Sequence, residues 1–259
     1  MKKNYLLLGL IVSLILLAMM ACSSSDEEKN GFVEPDNTTP EFTSTNWWNP
    51  KHSEHGDRIT TDIADITFDG MGEISWIVFT DLTKAPKTGP DYFSQYMNLG
   101  SDDSYRLDNN EVAYWMEPAT YEKYQQLYKG IPIYSAHYDI HYNNGQMTSA
   151  GGTYFRISDV DVKPAFSVMK AKEIYARYLN TSPFLIEEGG MIAYHDHEAL
   201  VIAEFPLSED PSVWKPRLVY ALHYCHEESL EGFCMIDAHT GRILRTWPNE
   251  YYSIVFCPE

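Results

Sequence analysis

The sequence predicts an α+β fold, with helices packed on one face of antiparallel strands. Three stretches carry that expectation. Residues 131–142 alternate strictly: Tyr134, Ala136, Tyr138, Ile140 and Tyr142 lie on one face, and Ser135, His137, Asp139 and His141 on the other. Asn143-Asn144-Gly145 then closes the strand with a hairpin turn. Residues 167–179 form a helix, with Ser167 as N-cap, Pro164 just ahead, and an apolar stripe of Val168, Ala171, Ile174, Tyr175 and Tyr178. Residues 218–224 and 233–236 are strands around an acidic turn, a second hairpin.

The remaining elements follow in chain order. Lys2 and Lys3 precede an apolar run over residues 5–21, and the first acid is Asp26. That pattern reads as a secretory signal and is short for a membrane span. Met19-Met20-Ala21-Cys22-Ser23 resembles the lipobox of bacterial lipoproteins, which implies lipid on Cys22 and residues 1–21 as the signal peptide. An uncleaved signal anchor is the alternative. Ser23-Ser24-Ser25-Asp26-Glu27-Glu28 resembles the surface-export signal of some Gram-negative lipoproteins, which implies the outer membrane or cell surface of such a bacterium. Residues 22–58 read as a flexible tether, rich in Ser, Thr, Asn, Pro and acids and interrupted by Trp47 and Trp48. Beyond it, residues 74–79 are β-branched and aromatic, hence a strand. Tyr92, Phe93, Tyr96, Met97 and Leu99 give residues 91–99 the spacing of a short amphipathic helix. Strands are expected at 191–194 and 199–205, a polar loop at 206–216, and a last short segment at 241–244.

Composition bounds the function. Hydrophobic residues make up 44% of 259 and aromatics 14%, enough for a packed core. Nineteen Lys and Arg stand against 37 Asp and Glu, a net charge of −18 that repels phosphate backbones and argues against nucleic acid. With Cys22 lipidated, Cys225, Cys234 and Cys257 remain. An exported protein favours a disulfide, and Cys225 and Cys234 flank the second expected hairpin. Pairing of Cys257 with either stays open.

The segment Tyr124-Gln125-Gln126-Leu127-Tyr128-Lys129-Gly130-Ile131-Pro132-Ile133-Tyr134 resembles the signature of the fungalysin/thermolysin propeptide domain. That family commonly has Gly where Ser135 stands. Pro164-Ala165-Phe166-Ser167, with Leu218-Val219-Tyr220 and residues 235–244, resembles a PepSY domain. The resemblance implies two cystatin-like halves, each an antiparallel sheet with a helix on one face. The first would span 59–162 with an N-terminal extension, and the second 163–259 with a C-terminal tail. It also implies a prodomain, which in zymogens helps a metalloprotease fold and blocks its cleft. The segment after the last strands would lead toward that cleft, with Trp247, Tyr251 and Tyr252 as interface anchors and Ile254 and Phe256 as core.

Catalytic chemistry is not legible. A zinc peptidase of this class needs His-Glu-x-x-His, and the stretches beginning at His197 and His226 both lack the second His. No Gly-x-Ser-x-Gly elbow, phosphate loop or calcium loop is present. His195 and His197 are the better pair for a metal, though solvent-facing polarity explains them as simply. His137 and His141 are too far apart on one strand for a single ion. His223, Cys225, His226 and Cys234 make a zinc cluster only with reduced thiols. The expectation is a non-enzymatic, cofactor-free lipoprotein that binds a secreted metalloprotease as inhibitor or folding chaperone. The alternatives are an extracellular module for another ligand, peptide or glycan, and an unrecognised hydrolase.

Overall fold

The computed structural model describes residues 32–42, 49–112, 119–188, 190–192, 195–197, 199–207, 210–224 and 231–248. The fold lies in the compact unit of residues 34–259. Its strands are β1 (His55–Thr60), β2 (Ala64–Asp69), β3 (Ile74–Phe79), β4 (Asp103–Val112), β5 (Ala119–Tyr128), β6 (Ile131–Asn143) and β7 (Gln146–Gly152), then β8 (Ile186–Glu188), β9 (Gly190–Ile192), β10 (His195–His197), β11 (Leu200–Pro206), β12 (Trp214–Tyr224), β13 (Glu231–Asp237) and β14 (Ile243–Pro248). Among the described residues the α-helices are α1 (Gly89–Tyr96) and α2 (Val168–Leu179). Twelve strands form one sheet in the order β1-β2-β3-β7-β6-β11-β12-β13-β14, with β5 and β4 beside β6 and β8 beside β12. β9 and β10 pair separately.

The expected pair of antiparallel sheets, each with its own helix, is not what the chain builds. The fold is mostly β, and its large sheet is mixed. β6 and β11 pair in parallel at Ile133 and Ile202, which joins the two expected halves edge to edge. Such a pairing links residues far apart in sequence, so no local periodicity announces it. Several strands also carry many polar or half-buried residues and read as unassigned sequence, β4 and β5 above all.

The predicted local elements lie where the pattern puts them. β6 buries Tyr134, Ala136, Tyr138, Ile140 and Tyr142 and leaves the alternate residues partly exposed. Both Asn144 and Gly145 have positive φ, 50° and 74°, as a two-residue type I′ turn requires. Lys129 and Gly130, at 49° and 81°, make the same kind of turn between β5 and β6. α1 starts at Thr88, whose hydroxyl accepts from the Asp91 amide, with Pro90 and Asp91 in the first turn. It buries Tyr92 and Phe93 against the sheet. The Phe93 ring stacks on Tyr105 at 3.8 Å, and the Tyr92 hydroxyl donates to that of Tyr138. α2 is capped by Ser167 and ends at Asn180 in the left-handed region. It buries Ala171, Ile174, Tyr175 and Ala176, and packs on β8 and β12.

Part of the stretch expected to be a tether is bonded to the sheet. Glu41 N–H donates to Ile243 O and Phe42 N–H to Leu244 O, so this segment lies along β14. The Asn37 amide donates to Gly241 O and accepts from the Ile243 N–H. Glu41 meets Arg217, and Phe42 stacks on Phe205 at 5.6 Å. β1 begins at His55, within the same expected tether.

Candidate functional site

The Gln125-Gln126 pair at the end of β5 explains the signature segment. β6 is paired to β7 over residues 138–143 and to β11 at Ile133. Between these partners stands Ser135, with φ of 63°. A left-handed residue turns the strand from one neighbour to the other and interrupts the regular ladder. The β5–β6 register slips at the same level, between Gln125 and Leu127. Gln125 fills the gap. Its amide donates to Ile133 O at 2.7 Å, Gln126 O at 2.9 Å and Ala136 O at 3.1 Å. Gln126 serves the chain after β7, donating to Phe155 O and accepting from the Phe155 N–H. Both amides are buried, at 4% and 0% exposure, so these bonds replace ladder bonds that water cannot supply.

Beside this kink lies a narrow pocket walled by Tyr134, Ser135, Glu204, Phe205, Arg245 and Trp247. The Arg245 guanidinium is buried there, 5.9 Å from the Phe205 ring and 5.5 Å from that of Trp247. Burial pulls its pKa down to about 10, and it stays charged at neutral pH. Glu204 accepts from the Asn49 amide at 3.3 Å and lies 3.2 Å from His52 Nε2. His52 Nδ1 lies 3.4 Å from Asp69, whose other oxygen accepts from the Met71 and Glu73 amides in the β2–β3 turn. The imidazole also sits 4.1 Å from the Phe155 ring. Both ring nitrogens of His52 thus face a carboxylate. The cluster ties the turn before β1 to β2 and β11.

The sequence-predicted residues are scattered. Trp247, on β14, is half-buried, opposite Phe233 with rings 5.0 Å apart. It is therefore part of this protein's own packing as well as of the pocket wall. Tyr251, Tyr252, Cys22 and Cys225 lie outside the described residues, as do Trp47, Trp48, Cys257, Ile254 and Phe256. Cys234 is buried on β13 opposite Leu222 and Thr246. His195 and His197 belong to β10, opposite Ile192 and Gly190. His223 is half-buried on β12, and burial lowers its pKa. Among the described residues, no group of three His, Cys, Asp or Glu side chains is placed to hold a metal ion. Sequence reasoning missed Asn49, His52, Asp69, Glu204 and Arg245. Their only signal was polarity, which an exposed loop or strand face shares.

Residues 119–154 match the family described as the Fungalysin/Thermolysin Propeptide Motif. The match covers β5, β6 and β7 and so contains Gln125, Gln126 and Ser135. The chain is also similar to the thermolysins of Alicyclobacillus acidocaldarius subsp. acidocaldarius, Bacillus caldolyticus and Bacillus sp. (strain EA1). Each is 29% identical over 140 residues, which is 49% of this chain and 23% of the relative. The chain thus spans under a quarter of the length of these curated relatives.

Proposed function

We propose that this protein is a non-catalytic, prodomain-like module that engages a secreted thermolysin-like metalloprotease, as its inhibitor or as a template for its folding. The observation that carries the reading is the propeptide motif over β5–β7, with its two glutamine amides bonded into the kink of β6. The resemblance of the later part to a PepSY domain extends the reading to residues 163–259. Lipid on Cys22 would hold the module at the outer membrane or cell surface, and Cys225 would pair with Cys234.

Trp247, Tyr251 and Tyr252 are the proposed contact residues, because aromatic side chains bury much area for few rotors.

Thermolysin itself is the probe for the test. The full-length protein is titrated into active enzyme with a chromogenic peptide, and in parallel into denatured enzyme during refolding. The expected outcome is dose-dependent inhibition or a raised yield of active enzyme. If neither changes, and capture from culture supernatant of the source bacterium brings down no metalloprotease, the reading fails.

A further inference from the structure

The face of the sheet opposite α1 carries two adjacent cross-strand rows with exposed apolar side chains. Trp76, Gly151, Asp139 and Lys123 form one cross-strand row over β3, β7, β6 and β5. Val78, Ser149, His141 and Tyr121 form the next. Trp76 is 42% exposed and Val78 40%, which is unusual for an indole at the middle of a sheet. The covered side of the indole rests on Gly151, where an added Cβ would stand 1.9 Å from Cε3. Gly at this position lets the ring lie against the backbone. The Trp76 and His141 rings are 5.8 Å apart, and those of His141 and Tyr121 6.2 Å, so an aromatic strip crosses from β3 to β5.

We propose that this strip is a binding platform for a neutral oligosaccharide, with Trp76 as its stacking ring. The C–H face of a sugar ring carries partial positive charge and complements the negative face of an indole. Its hydroxyls need polar partners around the ring, and the strip supplies them. Asp139 stands one strand beyond Gly151 in the Trp76 row, and its enclosed Oδ1 has no hydrogen bond among the described residues. Charge selects the same ligand. Arg58 on this face is paired with Asp65 at 3.5 Å, and Lys123 faces Asp139 across the strands. Around Trp76 the bases and acids thus stand two against two, on a chain of net charge −18, and this part of the strip complements neither a polyanion nor a strongly basic peptide.

Affinity electrophoresis of the full-length protein in detergent, in gels containing laminarin, starch, galactomannan or xylan, tests this. Retardation by at least one polysaccharide is expected, weakened at least tenfold in Trp76→Ala and partly restored in Trp76→Phe. His141→Ala carries the same test should the indole variant fail to fold. No retardation in any of the four gels overturns the proposal, as does retardation that Trp76→Ala and His141→Ala leave unchanged. Sedimentation that shows a Trp76-dependent dimer also overturns it, since the face would then be a contact between copies. Thermolysin inhibition and refolding are read separately, so this platform and the protease reading fail independently.

Discussion

At the scale of the residue, Ser135 is the informative position. The propeptide resemblance expects Gly there, and the backbone at Ser135 is left-handed, with φ of 63°. An L side chain in that region costs about 1–2 kcal/mol, against about 0.5–1 kcal/mol of extra backbone entropy lost by Gly. Ser135→Gly should therefore raise stability by up to about 1 kcal/mol, seen as a higher urea midpoint at unchanged slope. A lower midpoint would mean that the hydroxyl makes a contact worth more than the strain. The neighbouring amide has the opposite sign. Gln125→Leu keeps the volume but strips three buried carbonyls of their donor, and should cost about 2–3 kcal/mol in the same titration. The motif was legible as a run of letters, and its chemistry was not. Gln-Gln in a strand looks like solvent-facing polarity until a kinked neighbour is brought beside it. His223 adds a pH dependence. Burial lowers its pKa in the fold below the ordinary 6.5, with Glu187 opposing. The unfolded chain then binds the extra proton first, so this contribution is intact above pH 6.5 and is lost as pH falls toward the folded pKa. His223→Gln should flatten the acid side of the stability profile, and an unchanged profile would assign that slope to other groups.

At the scale of the element, periodicity was sufficient wherever a strand or helix has one wet face and one dry. β6 and both helices obey it, and the turn after β6 carries residues that tolerate positive φ. The Pro-, Thr- and acid-rich segment before residue 43 is the instructive failure. Composition marks it as a tether, yet residues 36–42 are held against β14. Their bonds come from one asparagine side chain, two backbone amides and an aromatic plug, none of which has a period. The segment covers the start of the edge that β14 would otherwise present to another chain. Asn37→Ala removes both bonds to the β13–β14 turn and should cost about 1–2 kcal/mol. Amide exchange at Ile243, whose N–H donates to Asn37, should quicken at the same time. If Ile243 stays protected, backbone pairing alone holds the segment.

At the scale of the whole molecule, the chain reads as two halves because its motifs come in two groups, yet it folds around a shared sheet. The joining contact is the parallel step between β6 and β11. It carries Tyr134 from the first half into the apolar cluster of Val201, Phe205, Val219 and Phe233 in the second. Nothing in either half alone encodes that meeting, and for this reason sequence patterning could not foresee it. The seam also makes a prediction about folding. Residues 34–162 expressed alone keep β1–β7 and α1 but leave Tyr134 and the start of β6 without β11. Residues 163–259 alone keep α2 and β11–β14 but lose Phe42, the turn at Pro50–Ser53 and the Glu204–His52 bond. Burying a side chain of this size contributes about 1.5–3 kcal/mol, and a domain's whole margin is about 5–15 kcal/mol. Neither fragment should therefore unfold as cooperatively as the intact chain, and mixing the two should restore a single sharp transition. Calorimetry on the fragments, separately and together, measures this. A first fragment with a cooperative transition near that of the full chain would show that the β6–β11 pairing joins two self-sufficient halves and contributes little to the stability of either.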